Sequence, residues 1–155
     1  MTPRDPFWMV VKPPVVMLLC LALGWLGHRL LPGDTLLAGP LRWLGLLPVL
    51  AGIALFRASA AAFDRAGTTI YPHGKPSALV VRGPFRWTRN PIYIGMVLIQ
   101  IGAAIGLSSA VALAAPVLYV VIVQSVFIRF EETVLEKTFG KSYRDYCKRV
   151  PRWGF

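Results

Sequence analysis

The sequence has 155 residues, of which 55% are hydrophobic and 15% are charged. A soluble domain usually carries about 25% charged residues and, at this length, cannot bury several long apolar blocks, so the composition excludes a soluble globular protein. The net charge of +10 suits nucleic acid or anionic lipid, but the basic residues lie between and after the apolar blocks. That distribution follows the positive-inside rule, so we expect membrane lipids as partners and no nucleic acid.

Two apolar blocks occupy residues 1–63. The first runs from about Val15 to Leu31, and because no clean signal-peptide cleavage site follows it, we predict a retained transmembrane helix. The second runs from about Leu41 to Phe63 and contains Pro48, which a membrane helix tolerates when neighbouring groups satisfy the freed carbonyl. Cys20 lies in an apolar block and Cys147 in the basic tail, so the two cysteines do not suggest a disulfide framework. We also expect no metal site.

A long polar segment, from Asp64 to Asn90, separates these blocks from the rest of the chain. Its prolines and glycines make a continuous helix impossible. Loops of this length are usually functional or disordered, and the aromatic and aliphatic residues within this one indicate an ordered loop. Its histidine, His73, is either a base or, more plainly, a solvated loop residue.

The C-terminal half begins with a predicted helical hairpin. Its first arm runs from Pro91, a residue favoured at the start of a helix, to about Leu107, which is short for a full crossing. Its second arm runs from about Ala110 to Phe130. The tail, Glu131–Phe155, has an apolar helical face and many basic residues, so we expect an amphipathic helix along the membrane surface.

These elements predict an all-α integral membrane protein, a single domain over 1–155 with about four transmembrane helices and a C-terminal interfacial helix. An even number of spans puts both termini and the long loop on one side of the membrane. That side carries most of the lysines and arginines, so we expect it to be the cytoplasmic face of a bacterial-type inner membrane.

Two polar stretches stand out: GPFRWTRNPIYIG at the end of the loop, and EETVLEKTFGKSYRDY after the second hairpin arm. The acidic pair that opens the second stretch, Glu131 and Glu132, is costly at a membrane helix end unless it is partnered or functional. Taken alone, the pair could equally form a surface ion pair beside Arg129. The basic loop, taken alone, could equally be a lipid-facing topogenic segment.

Together, the two stretches resemble the isoprenylcysteine carboxyl methyltransferase and phospholipid methyltransferase superfamily over about Ile70 to Trp153. The resemblance implies that S-adenosylmethionine is held at the cytoplasmic ends of the last helices. The family's cofactor contacts correspond here to Ser77, Ala78, Leu79, Val80, Phe85, Asn90, Pro91, Ile92, Tyr93 and Glu131.

The chemistry of these residues agrees with that role. Asn90 and Pro91 open a helix whose first N–H groups have no helical partner and can meet a ligand's acceptors. Phe85 and Tyr93 offer flat walls for an adenine ring. Glu131 can accept hydrogen bonds from an ammonium group or from ribose hydroxyls, and it supplies negative potential near a sulfonium.

Two positions depart from the family pattern. Asn90 replaces a histidine and cannot titrate, so acid–base catalysis at this position is excluded. Phe127 replaces an arginine that contacts the substrate in the prenylcysteine enzymes. Arg129 lies two residues further on, about 200° around a helix, and either binds an anionic substrate group or extends to the membrane surface.

The sequence therefore predicts an S-adenosylmethionine-dependent methyltransferase with Glu131 and Arg129 as candidate catalytic residues. Its predicted substrate is a lipophilic or small membrane-accessible molecule: a prenylcysteine carboxylate, a phospholipid amine or a thiol. Two alternatives stay open: an NADPH-dependent membrane reductase with a similar C-terminal segment, and a non-catalytic membrane subunit. Nothing in the sequence predicts the oligomeric state.

Overall fold

The computed structural model describes residues 12–31, 35–37, 39–68 and 76–154. Every regular element in these ranges is helical, which confirms the all-α prediction. The α-helices are α1 (Pro13–Leu30), α2 (Leu46–Arg65), α3 (Pro91–Gly106), α4 (Ala114–Ile122), α5 (Arg129–Phe139) and α6 (Lys141–Arg149). Short 3₁₀ helices span Gly39–Gly45, Gly83–Arg86 and Val111–Leu113.

Three helical stretches of the described chain are long and apolar enough to cross a membrane: 13–30, 39–65 and 111–139. Helix α3 is apolar but has only 16 residues. The predicted positions of the first three helices are close to the observed ones, with one difference at Pro48. This proline is the third residue of α2, directly after the 3₁₀ turn, where its missing N–H is not needed by the α-helix.

Helices α2 and α3 are antiparallel and touch through glycines. A Cβ atom on Gly45 would lie 2.4 Å from the carbonyl oxygen of Gly102, and one on Gly52 would lie 2.5 Å from that of Gly95. Gly45, which ends the 3₁₀ helix directly before α2, lies about two turns from Gly52, and Gly95 lies about two turns from Gly102 on α3, so each pair shares one face. Their lack of side chains lets the two backbones meet.

The second arm of the hairpin continues beyond its predicted end at about Phe130. Helices α4 and α5 are joined by a π-helical segment, Val123–Ile128, and form one continuous stretch that ends at Phe139. The π segment buries Val123, Phe127 and Ile128 in the main core, against residues of α1 and α3. The junction between α4 and α5 is therefore buried in this core.

Helix α6 turns back at Gly140, whose φ of +50° favours glycine. Its apolar face packs against the protein: Tyr143 and Tyr146 are buried with Val150, Leu79 and Leu135. The basic residues of α6, which include Arg144 and Lys148, are exposed. Because the tyrosine face is covered by protein, this helix can meet a membrane surface only through its basic side.

Candidate functional site

A cavity of about 220 Å³ lies where the start of α1, the end of α2, the loop before α3, and helices α5 and α6 converge. Most of the residues predicted from the sequence line it. These are Ala78, Leu79, Val80, Phe85, Asn90, Pro91, Ile92, Tyr93 and Glu131. Residues from both halves of the chain, far apart in sequence, therefore share one chamber.

Two described residues of the predicted set, Ser77 and Arg129, do not line the cavity. Ser77 is exposed and bonds back to the end of α2, its amide donating to Thr68 Oγ1 at 3.2 Å and its hydroxyl to the Gly67 carbonyl at 3.1 Å. The Arg129 side chain is also exposed. The cofactor contact of Ser77 and the catalytic role of Arg129 stay predictions. His73 lies outside the described residues.

Glu131 and Tyr93 form the polar centre of the cavity. The Tyr93 hydroxyl donates to Glu131 Oε1 at 2.7 Å, and Tyr93 is buried. Within the described chain, no lysine, arginine or histidine forms an ion pair with Glu131. A carboxylate in such surroundings is stabilised by a cation, so this part of the cavity favours a positively charged ligand.

Glu132 has the opposite environment. Arg152 binds it with two hydrogen bonds, Nη2 to Oε2 at 2.6 Å and Nε to Oε1 at 2.9 Å. Arg89 Nη1 binds the same Oε1 at 3.0 Å. Paired, charge-assisted bonds of this kind fix geometry strongly, so Glu132 holds the wall of the cavity together.

Arg89 was not among the residues predicted from the sequence, although it lines the cavity. Its Nη1 also lies 2.9 Å from Cys147 Sγ and 3.4 Å from the Tyr143 hydroxyl. Its Nε is buried, and no acceptor for it lies among the described residues. A buried donor of this kind needs a partner, and an acceptor group on a ligand would supply one.

Asn90 makes hydrogen bonds that hold the start of α3 in place. Its Nδ2 donates to the Arg152 carbonyl at 3.0 Å, and its backbone N–H donates to Thr88 Oγ1 at 3.1 Å. The Thr88 hydroxyl donates to the same Arg152 carbonyl at 2.8 Å. The start of α3 is thus held against the C-terminal segment.

Two tyrosines of α6 close the cavity from the other side. The Tyr146 hydroxyl donates to the Phe85 carbonyl at 2.8 Å, which fixes the loop at its aromatic residue. Burial raises the pKa of both Tyr143 and Tyr146 above its ordinary value. Both phenols therefore keep their protons at neutral pH and can act as hydrogen-bond donors.

The remaining wall is apolar and largely aromatic. It is built from Phe56, Phe63, Met96, Phe127 and Phe130. Phe63 packs edge-on against Phe85, with ring centroids 5.3 Å apart. Phe127 faces the same chamber and is buried.

Comparison with known proteins gives this arrangement a family. Residues 41–142, about two-thirds of the chain, match the phospholipid methyltransferase family. The chain belongs to this family, which confirms the resemblance drawn from the two polar stretches. It is therefore a member of a family of membrane methyltransferases, and its apolar helices agree with a location in a membrane.

The chain is also similar to an uncharacterized protein of Haemophilus influenzae. The two are 31% identical over 62 residues, which are 40% of this chain and 98% of the other protein. A protein of that length matches only a part of this chain. The similarity therefore adds no information about activity.

Proposed function

We propose that the protein transfers a methyl group from S-adenosylmethionine to a lipophilic acceptor at the cytoplasmic face of the membrane. The observation that carries this proposal is Glu131, a carboxylate in an aromatic cavity that bonds to Tyr93 and forms no ion pair within the described chain. A sulfonium or ammonium cation is the ligand that such a site stabilises.

The residues around Glu131 also fit the rest of this cofactor. Phe85 and Tyr93 provide aromatic surfaces for an adenine ring. Arg89 has a buried Nε that an α-carboxylate would satisfy. Helix α3 begins at the cavity, and its first N–H groups can meet hydroxyl or carboxylate oxygens. When bound, the cofactor supplies an electrophilic methyl group.

The protein's own contribution is to orient two reactants and exclude water. The apolar wall, with Phe56, Phe63 and Met96, suits the chain of a lipid-like acceptor. Because Phe127 stands where the prenylcysteine enzymes carry arginine, we favour an amine or a thiol over a carboxylate as the methyl-accepting group.

The proposed orientation rests on charge. The cavity lies at the end of the molecule that carries the loop, α5 and α6, where most of the described basic residues are found. Arg29 and Arg42 lie at the opposite ends of their helices, each stacked on a neighbouring tryptophan. The excess of positive charge supports a cytoplasmic location for the cavity.

Cofactor binding by the purified protein in detergent tests the proposal. We expect isothermal titration to detect S-adenosylmethionine binding and the Glu131→Gln variant to bind at least about tenfold more weakly, since a charge-assisted contact is lost. Glu136→Gln is the matched control, because Glu136 lies on the same helix but is exposed. Labelled cofactor and membrane lipids then identify the methyl acceptor by mass spectrometry.

The alternatives give different results in the same titration. Affinity for NADPH in place of S-adenosylmethionine would indicate a reductase, and affinity for neither would indicate a non-catalytic subunit. Equal cofactor affinity of the wild-type protein and Glu131→Gln would reject the placement of the cation beside Glu131.

A further inference from the structure

The C-terminal segment Val150–Gly154 lies across the outside of the cavity wall. The Pro151 carbonyl accepts the backbone N–H of Arg89 at 3.0 Å. The Arg152 carbonyl accepts from Thr88 and Asn90. Trp153 Nε1 donates to Gln124 Oε1, in the π segment, at 2.9 Å. Consecutive residues of the tail thus reach both the loop before α3 and the long helical stretch.

Arg152 makes the strongest of these attachments. Its side chain binds Glu132 on α5 through two hydrogen bonds, while its carbonyl holds the start of α3. The hydrogen bonds to Glu132 raise the pKa of Arg152, so its guanidinium stays charged over the physiological range. One residue outside the cavity therefore ties together two of its walls.

The cavity-lining members of this network are Arg89, Asn90 and Glu132. Arg152 does not line the cavity itself, and about a third of its side chain is exposed. Removing it would leave Arg89 as the sole cation bonded to Glu132 within the described chain. Without Arg152, Glu132 and the Arg89 side chain bonded to it would be able to move together. The buried Nε of Arg89 would then lose its fixed position.

We infer that Arg152 is a positioning residue. Its side chain binds Glu132 and its carbonyl binds the start of α3, and these contacts form a clasp that sets the distance between the cofactor-binding walls. This inference rests on the proposed function. It assigns to the tail a part in ligand affinity rather than in stability alone. The substituted Asn90 belongs to the same clasp, which explains why a non-titrating amide serves at this position.

A variant series in detergent tests the inference. We expect Arg152→Gln to bind S-adenosylmethionine about tenfold more weakly than the wild-type protein, since one partner of a charged pair is lost. Arg152→Lys, which keeps the charge and one hydrogen bond, should recover part of this affinity. Arg149→Gln is the control, because Arg149 is exposed and, among the described residues, bonds only to the Asp145 carbonyl of its own helix.

A double variant separates the clasp from general loss of structure. If Arg152 acts through Glu132, then Glu132→Gln combined with Arg152→Gln lowers affinity no further than the weaker-binding single variant. Hydrogen exchange adds a second measurement: cofactor should slow exchange of the Arg89 amide, which bonds to the tail, in the wild-type protein and not in Arg152→Gln.

The possible outcomes distinguish the proposed function from the proposed role of Arg152. A wild-type protein that does not bind the cofactor overturns the proposed function. A wild-type protein that binds, with Arg152→Gln binding equally well, overturns only the clasp. A lower melting temperature of Arg152→Gln with unchanged affinity also overturns it, and if that variant fails to fold, Arg152→Lys gives the same decision.

Discussion

At the scale of single residues, Glu131 and Glu132 are neighbours with different tasks. Glu132 is bound by two arginines, which satisfies its charge within the protein. Glu131 bonds to a neutral phenol, which orients the carboxylate without neutralising it. Of these two adjacent carboxylates, Glu132 therefore holds the cavity wall, and Glu131 faces the proposed cofactor site.

Tyr93 is expected to control how well Glu131 is held. Tyr93→Phe removes the 2.7 Å hydrogen bond and should reduce S-adenosylmethionine affinity by about three- to tenfold, as expected for a hydrogen bond to a charged group. Isothermal titration measures this loss. Tyr119→Phe is the control, because within the described part of the chain the buried Tyr119 hydroxyl bonds only to the sulfur of Met96, a weak acceptor.

An affinity loss of the same size in both tyrosine variants would contradict this assignment. It would mean that the core packing of α3, rather than the orientation of Glu131, sets the affinity.

At this scale, the sequence indicated part of the site. The proline-opened helix and the first glutamate were recognised because both fall within family motifs. Arg152 and the role of Asn90 were not, because their partners are remote: Asn90 and the Arg152 carbonyl are separated by 62 residues. Arg89 and Glu132 are separated by 43 residues. No local pattern reports such contacts.

At the scale of elements, the pairing of α2 with α3 depends on glycines, because the absence of their side chains lets the two backbones touch. Gly52→Ala would place a Cβ atom 2.5 Å from the Gly95 carbonyl oxygen and 3.0 Å from Ile99 Cγ1. Neither helix can yield locally, so we expect a destabilisation of about 1–3 kcal/mol. Thermal unfolding in detergent, followed by circular dichroism, measures it.

Gly106→Ala is the matched control for this prediction. Gly106 ends α3, and a Cβ atom there meets nothing within 4 Å among the described residues. Its variant should melt within a few degrees of the wild-type protein. Equal melting temperatures for Gly52→Ala and the wild-type protein would show that α2 and α3 can separate without cost.

The helices themselves were largely predictable, because long apolar blocks and proline starts are local signals. The π segment was not, since its residues, Val123–Ile128, have no sequence feature that separates them from an apolar α-helix. The same limit applies to α6. Its apolar face was correctly placed on one side of a helix, but only the folded chain shows that protein covers it.

At the scale of the whole molecule, the cavity end carries more of the described basic residues than the opposite end. The exposed cation Lys148 lies on α6 at the cavity end, whereas Arg42 lies beside Trp43 at the other. We expect a membrane-impermeant maleimide to label Arg42→Cys in intact cells. Lys148→Cys, made with Cys147→Ser, should be labelled only after the cells are permeabilised. The reverse pattern would contradict the cytoplasmic location of the cavity.

The shortness of α3 has a consequence for depth. Its 16 residues rise about 24 Å, whereas the hydrocarbon layer is about 30 Å thick. If the far end of α3 lies level with the ends of its longer neighbours, its first turn stops several ångströms inside the near leaflet. A lipid could then bring its headgroup to Glu131 by a small displacement toward the bilayer centre and lateral movement within the leaflet. Its acyl chains would stay surrounded by other lipids.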